Sequence, residues 1–335
     1  MTVIQTERLH KTFVTKRKRA GFGGSMKALI HPERQETTAL REISFAMEAG
    51  EVLGFIGPNG AGKSTTIKIL TGILHPTSGN ARVLGRVPWE ERRQLAYHIG
   101  TVFGQRPQLW YHLPAIDTLN LFGKIYEMED RVVRQRVGHL AEMFQIEDLL
   151  ETPVRKLSLG QRMRCEVAAS LIHQPKLVML DEPSMGLDVV AKQNIRDTIR
   201  QMSLEEGVGV LLTSHDAGDI EALCDRVIVI NRGQMVFDDS VTTLKRRYLT
   251  SKQVQVRYDG EIDAAFHIEG CETIAVDRYG ASLRFDIRKT PVGAVMGALG
   301  DAGNLLDVTI SDPSLEEVIR AMYAQVDARP HSGDD

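Results

Sequence analysis

Cysteine is scarce in this chain: Cys165, Cys224 and Cys271 are the only three in 335 residues. They lie far apart, without Cys-x-x-Cys spacing or a Cys/His pairing, which speaks against a disulfide framework, a metal site or redox work. Reduced, partly buried thiols are expected. An excess of one charge is also missing. The 41 Lys and Arg stand against 44 Asp and Glu, a formal net charge of −3, which gives no support to nucleic-acid binding through a broadly basic surface. No stretch approaches the roughly 18 consecutive apolar residues of a membrane span. Residues 1–11 lack the apolar core of a secretory signal, so a cytosolic chain is expected, with any membrane role coming through a partner. There is no internal repeat and no sustained heptad pattern, so no long coiled coil is expected. What remains is an ordinary globular composition, 42% hydrophobic and 25% charged, in a chain long enough for one large domain and a small one.

The pattern along the chain divides accordingly. Strands are expected over 3–9 and 38–47, separated by a basic, glycine-broken insertion at about 16–36 that includes Lys16, Arg17, Lys18, Arg19, Lys27 and Arg34. This insertion reads as a solvated loop or as a contact for lipid headgroups or an acidic partner face. An apolar run over 51–57 leads into a glycine loop and a helix over 63–70. A short strand over 81–84, a charged helix over 88–98 and a buried-type strand over 99–103 follow. Residues 114–173 read as helical throughout, with helices near 115–127, 131–144 and 159–173. Strands return over 176–180, 208–213 and 226–230, separated by helices as in a parallel sheet. Beyond about 250 the texture changes to short alternating strands over 254–258, 272–276, 282–287 and 305–310, with helices near 291–298 and 315–323. This is a small α+β appendage over 250–325, followed by a polar tail, 326–335, expected to be disordered.

Five short motifs carry the chemistry. Gly57-Pro58-Asn59-Gly60-Ala61-Gly62-Lys63-Ser64 fits the phosphate-loop pattern G-x-x-x-x-G-K-[ST], between an apolar strand and a helix. Glycines let the backbone wrap around phosphate oxygens, and successive N–H groups with the helix N-terminus donate to them. Lys63 is expected to reach the β- and γ-phosphates, and Ser64 to ligate Mg²⁺; Gly57, Asn59, Gly60, Gly62 and Thr65 complete the cradle.

The apolar strand over 177–180 ends in Asp181-Glu182 at the edge where α/β sheets bind ligands. Alone, such a pair is usually a solvated strand end. Downstream of the glycine loop, Asp181 is read as a Mg²⁺ ligand, through water, and Glu182 as the group that orients or deprotonates the attacking water. Gln105, after the strand over 99–103, could ligate Mg²⁺ and report the γ-phosphate to the helical block. His215, at the end of the strand over 208–213, could contact the γ-phosphate and position the water with Glu182. Ser158-Leu159-Gly160-Gln161 opens a helix with a good N-cap residue, and such an end favours anions. One phosphate loop already serves this chain's nucleotide, so a second anion site makes sense if it completes another molecule's site.

With these residues in order, the chain resembles the ATP-binding subunits of ABC transporters over about 2–244. Leu157-Ser158-Leu159-Gly160-Gln161 is similar to the family signature LSGGQ, with Leu159 in place of its first glycine. Ser184-Met185-Gly186-Leu187-Asp188 resembles the D-loop, and Phe13 stands where the family stacks an aromatic ring on adenine. The resemblance implies a P-loop NTPase of ABC type, α/β, with an antiparallel β subdomain, a helical subdomain over about 114–173 and a C-terminal α+β domain. It also implies an ATPase that uses ATP and Mg²⁺, in which two subunits pair head to tail. Each ATP would lie between one phosphate loop and the other subunit's Ser158, Gly160 and Gln161, with Asp188 reaching across. The simpler pair is a homodimer on the cytoplasmic face of the membrane, bound to integral membrane permease subunits, with no nucleic acid.

The single ATPase unit with its small appendage, together with Asp312-Pro313-Ser314-Leu315-Glu316-Glu317 and Gly104-Gln105-Arg106-Pro107-Gln108-Leu109-Trp110, is similar to the drug-, antibiotic- and sodium-export branch. Two other readings stay open. A nutrient importer can also carry a C-terminal domain: an oligosaccharide-binding type barrel there would favour import, a ferredoxin-like unit export. A non-transport ATPase acting on nucleic acid or ribosomes usually has two ATPase units or a long coiled coil, and this chain has neither. The segment 110–114 reads either as ordinary aromatic packing or as the lining of a groove for a membrane subunit's coupling helix.

Overall fold

The computed structural model describes residues 1–16, 34–104, 106–248, 251–312 and 314–327. Most of the basic insertion, Gln105 and the last residues of the polar tail lie outside the described residues. The chain forms two compact units, 1–240 and 241–335.

The first unit opens with β1 (Thr2–Lys16), β2 (Arg34–Ile43), β3 (Ala46–Glu48) and β4 (Val52–Ile56), then α1 (Lys63–Leu70), β5 (Ser78–Val83), α2 (Arg92–Ala96) and β6 (Ile99–Phe103). A helical block follows: α3 (Ala115–Ile125), α4 (Asp130–Phe144) and α5 (Leu159–Ser170). The unit closes with β7 (Leu177–Asp181), α6 (Val189–Glu206), β8 (Gly209–Ser214), α7 (Ala217–Leu223), β9 (Arg226–Asn231) and β10 (Gln234–Ser240).

Its central sheet has the order β10-β9-β4-β8-β7-β6, parallel except for the edge strand β10. The strands are short aliphatic runs covered on both faces, the composition a parallel sheet requires: every residue of β8 and the first four of β7 are buried. Register then fixes the edge. Ile56 pairs with Ser214, Thr213 with Asp181, and Asp181 with Phe103. The residues that follow each strand, Gly57, His215, Glu182 and Gly104, therefore leave the sheet at one end.

The second sheet is antiparallel, β2-β1-β3 with β5 also on β1. The expected strand over 38–47 is two strands, because Phe45 turns inward to exchange hydrogen bonds with Thr6: Thr6 N–H donates to Phe45 O at 2.8 Å and Phe45 N–H to Thr6 Oγ1 at 2.9 Å. The expected strand over 3–9 continues to Lys16, through a register irregularity between Leu9 and Thr12. The helix expected over 88–98 shortens to α2, since Val87 O accepts from the N–H groups of Glu90 and Glu91 in a turn before it.

Just after α5, His173 fastens the helical block to the parallel sheet. Its Nε2 lies 3.0 Å from Ile99 O, and its ring stacks on Tyr126 with centroids 3.9 Å apart. The imidazole is neutral with Nε2–H donating, which leaves Nδ1 buried without a partner. Burial holds its pKa down at about 4.

The second unit contains α8 (Val241–Tyr248), β11 (Ser251–Tyr258), β12 (Cys271–Val276), β13 (Gly280–Asp286), α9 (Val292–Asp301), β14 (Leu305–Ser311) and α10 (Leu315–Asp327). The division at Ser240/Val241 precedes the expected limit at 244, because α8 packs on α10 within this unit. The sheet is open and wholly antiparallel, in the order β12-β13-β11-β14. That is the strand order of a ferredoxin-like unit, with α9 as one crossover and the irregular segment 259–270 as the other. Val254, Val256, Tyr258, Leu283 and Phe285 alternate onto one face and bury against Val295 and Leu299 of α9.

The depressed His173 pKa sets a pH dependence of folding. Between about 4 and an unfolded value of about 6.5, the unfolded chain binds a proton that the folded chain refuses. The stability this confers is complete above the unfolded value and is lost as pH falls through that window. Unfolding by urea at stepped pH should show a loss of about 1–3 kcal/mol across it. His173→Gln should flatten the profile there, and an unchanged profile in that variant would contradict the assignment.

Candidate functional site

Two glycines of the turn between β4 and α1 cannot be replaced without displacing backbone. A Cβ on Gly57 would lie 2.5 Å from Ile230 O, and one on Gly62, at φ +113°, 2.6 Å from Ala39 O. The loop therefore sits directly on neighbouring main chain and aims the first N–H groups of α1 into an open cleft of about 300 Å³. Asn59, Gly60, Lys63, Ser64, Thr65 and both carboxylates, Asp181 and Glu182, line it.

Lys63 is 5% exposed, so its ammonium must find protein partners in place of water. It donates to Gly57 O at 2.7 Å and Pro58 O at 3.3 Å, and pairs with Glu182 Oε1 at 3.3 Å. The other oxygen of Glu182 is 3.2 Å from His215 Nδ1. One carboxylate thus joins the glycine loop to the end of β8. Glu182 holds a left-handed backbone conformation, φ +55°, with its N–H donating to both Thr213 O and Thr213 Oγ1 at 3.1 Å.

Asp181 is placed differently. Its Oδ1 accepts from Ser64 Oγ at 3.0 Å and from Thr213 Oγ1 at 2.7 Å. A carboxylate and a hydroxyl that already meet form a hard-oxygen donor set, which fits Mg²⁺. No group of three or more His, Cys, Asp or Glu suited to a metal occurs among the described residues.

Two contributors escaped the sequence reading. Thr213, fully buried, steers both Asp181 and Glu182; its signal was a hydroxyl closing the apolar run Val210–Leu212. Gly104 donates its N–H to Asp181 O at 2.9 Å, and a Cβ on it would stand 2.5 Å from Glu182 O.

Ser158, Gly160, Gln161 and Asp188 meet elsewhere. Ser158 caps α5 in a reciprocal box: Gln161 N–H donates to Ser158 Oγ at 3.2 Å, and Ser158 N–H to Gln161 Oε1 at 2.9 Å. Asp188 caps α6 by accepting from Ala191 N–H at 2.8 Å. The two helix starts touch, since a Cβ on Gly160 would lie 2.8 Å from Ala191 Cβ. Together they line a second cleft of about 220 Å³, which shares no lining residue with the first. Phe13 lies on β1 opposite Thr37, its ring 5.2 Å from the Lys11 ammonium, and is not among the residues lining either cleft.

A family model described as ABC transporter matches residues 40–185. The linearmycin resistance ATP-binding protein of Bacillus subtilis is 31% identical over 290 residues, 84% of this chain and 92% of that protein. This chain belongs to the ABC transporter ATP-binding proteins. It is an ATP hydrolase of the ABC transport type. The Nod factor export ATP-binding protein I of Neorhizobium galegae is 33% identical over 229 residues; that match spans 68% of this ABC ATPase and 65% of that protein. Among solved structures, a dimeric ATP-binding cassette in a post-hydrolysis state, bound to ADP and Pi, has the same fold. Its TM-score is 0.59 at 22% identity, covering 71% of this ABC ATPase and 98% of that chain.

The Gly104 contact gives a direct check on this geometry. Gly104→Ala should push the Glu182 main chain and lower ATP turnover about 10- to 100-fold, measured by phosphate release, with nucleotide affinity little changed. Wild-type turnover would mean that the contact does not hold Glu182 in place.

Proposed function

We propose that this ATPase works as a head-to-tail homodimer around two ATP molecules and powers export through separate integral membrane permease subunits. The observation that carries the proposal is the separation of the two clefts. One chain supplies a phosphate loop with two carboxylates and, apart from it, a pair of capped helix starts. The second set has no role toward the chain's own loop, and a partner's nucleotide gives it one.

In this reading ATP draws Lys63 from its carbonyl partners onto the β- and γ-phosphates. Ser64 and Asp181, with Gln105 as the further expected ligand, would hold Mg²⁺, which would supply charge neutralisation at the phosphates. Glu182 accepts the proton of the attacking water, and His215, at hydrogen-bond distance from Glu182, orients the pair. Ser158, Gly160, Gln161 and Asp188 act on the partner's nucleotide. Phe13 supplies the adenine contact.

Export is supported by the similarity to the Nod factor export protein and by the appended unit, whose open ferredoxin-like sheet is unlike a barrel. No helix among the described residues is long and apolar enough to cross a membrane, so the membrane passage is assigned to the permease, with this subunit at its cytoplasmic face. Trp110 and Tyr111, 52% and 54% exposed, form an aromatic ledge suited to a permease coupling helix. The ledge is pinned by Val154 and Arg155, whose N–H groups donate to Leu113 O and Tyr111 O at 3.0 Å.

Glu182→Gln should cut turnover about 100-fold or more while retaining ATP and accumulating a dimer on size-exclusion chromatography; normal turnover would remove Glu182 from its role. Ser158→Arg should leave ATP binding by the monomer intact and prevent that ATP-dependent dimer. Loss of monomer binding would instead mean that Ser158 serves its own chain's nucleotide.

A further inference from the structure

We infer that Asp219 is a positioning residue for ATP hydrolysis, a single buried carboxylate that fixes the turn carrying His215, the segment after Glu182 and the helix capped by Asp188. The inference rests on the proposed roles of Glu182 and His215 and adds the group that holds them in register.

Asp219, on α7, is 2% exposed. A carboxylate so enclosed must be satisfied by donors, and it has three, each from a different segment. Ser214 Oγ donates to Oδ2 at 3.0 Å, Ser184 Oγ donates to the same oxygen, and the Arg196 guanidinium donates to Oδ1 at 2.8 Å.

Each donor sits beside a functional element. Ser214 immediately precedes His215, and its Oγ also accepts from Asp216 N–H at 2.9 Å, closing a turn with His215 at its apex. Holding Ser214 therefore holds the backbone from which the imidazole reaches Glu182. Ser184 lies in the turn that begins at Glu182, where Met185 N–H donates to Glu182 O and Leu187 N–H to Ser184 O, both at 3.2 Å. Arg196 projects from α6, whose first turn is capped by Asp188 in the second cleft. Asp219 touches no cleft-lining group directly. It ties the residues proposed for the chain's own nucleotide to the helix proposed for the partner's.

This arrangement makes the hydrolysis step, not nucleotide capture, depend on Asp219, because nothing in the glycine loop bonds to it. Asp219→Asn keeps the shape but turns an amide N–H₂ toward donors and removes the charge that Arg196 pairs with. Basal hydrolysis by the full-length variant should fall about 10- to 100-fold in kcat, with KM and the ATP dissociation constant within about two-fold of wild type. Ser214→Ala removes one hydroxyl and leaves the Arg196 pair intact; it serves as the second variant should Asp219→Asn not fold. It should lower kcat in the same selective way, and the double variant should cost less than the product of the two separate losses.

Unchanged kcat in a folded Asp219→Asn or Ser214→Ala protein would overturn the inference. So would a loss in KM or nucleotide affinity equal to the loss in kcat, which would mark a merely structural carboxylate. Glu182→Gln measured alongside separates the two levels: if it turns over normally, the underlying assignment fails. If it is inactive while the Asp219 and Ser214 variants are not, only the positioning role fails.

Discussion

The ammonium of Lys63 has almost no access to water, and the arrangement of the sheet edge follows from how its charge is satisfied. A buried cation is tolerated only with close, well-directed acceptors. Here they are two loop carbonyls and the Glu182 carboxylate. The carbonyls require a loop that doubles back on the lysine, hence glycines pressed on Ile230 and Ala39 main chain. The carboxylate requires Glu182 to leave β7 in a left-handed turn, which Thr213 on the neighbouring strand supports. Three strand ends are thus bound to one charge.

Compensation at the second carboxylate is of another kind. Among the described residues, the Asp181 carboxylate is met by hydroxyls, from Ser64 and Thr213. Hydroxyls donate without carrying charge, so the Asp181 anion stays available for a cation, while the Glu182 anion is already shared between Lys63 and His215. Two adjacent residues of the same chemistry are given different surroundings by their neighbours, as paired carboxylates in hydrolytic sites commonly are.

Much of this was legible in the sequence because it depends on local chemistry. A glycine loop between an apolar strand and a helix, or an N-cap serine at a helix start, prescribes its own geometry, and both stand where the residues placed them. The appendage's strands were legible from alternation, but its strand order was not, since order is decided by pairings between distant segments. Thr213, Gly104 and Asp219 were illegible for the same reason. Thr213 and Gly104 act through Asp181 and Glu182 at the end of a neighbouring strand. Asp219, though five residues from Ser214, also depends on Ser184, 35 residues away, and on Arg196 of another helix, so no short window of sequence contains the whole set. Phe13 shows the converse: its family position suggests a base contact, while its backbone place is set by β1 pairing and its ring by Lys11.

The ion pair between Lys63 and Glu182 also orders events in the proposed cycle. While the pair stands, one oxygen of Glu182 is engaged by an ammonium 3.3 Å away and is not free to meet an attacking water. Phosphate oxygens carry more charge than the carbonyls and compete for the same ammonium, so nucleotide entry weakens the pair as it fills the cleft. Glu182 is then left with His215 as its near partner, and the imidazole stands on a turn fixed from behind by Ser214 and Asp219. The group that would take the proton is freed by the arrival of the substrate whose hydrolysis it serves, and the group that orients it stays where the fold holds it.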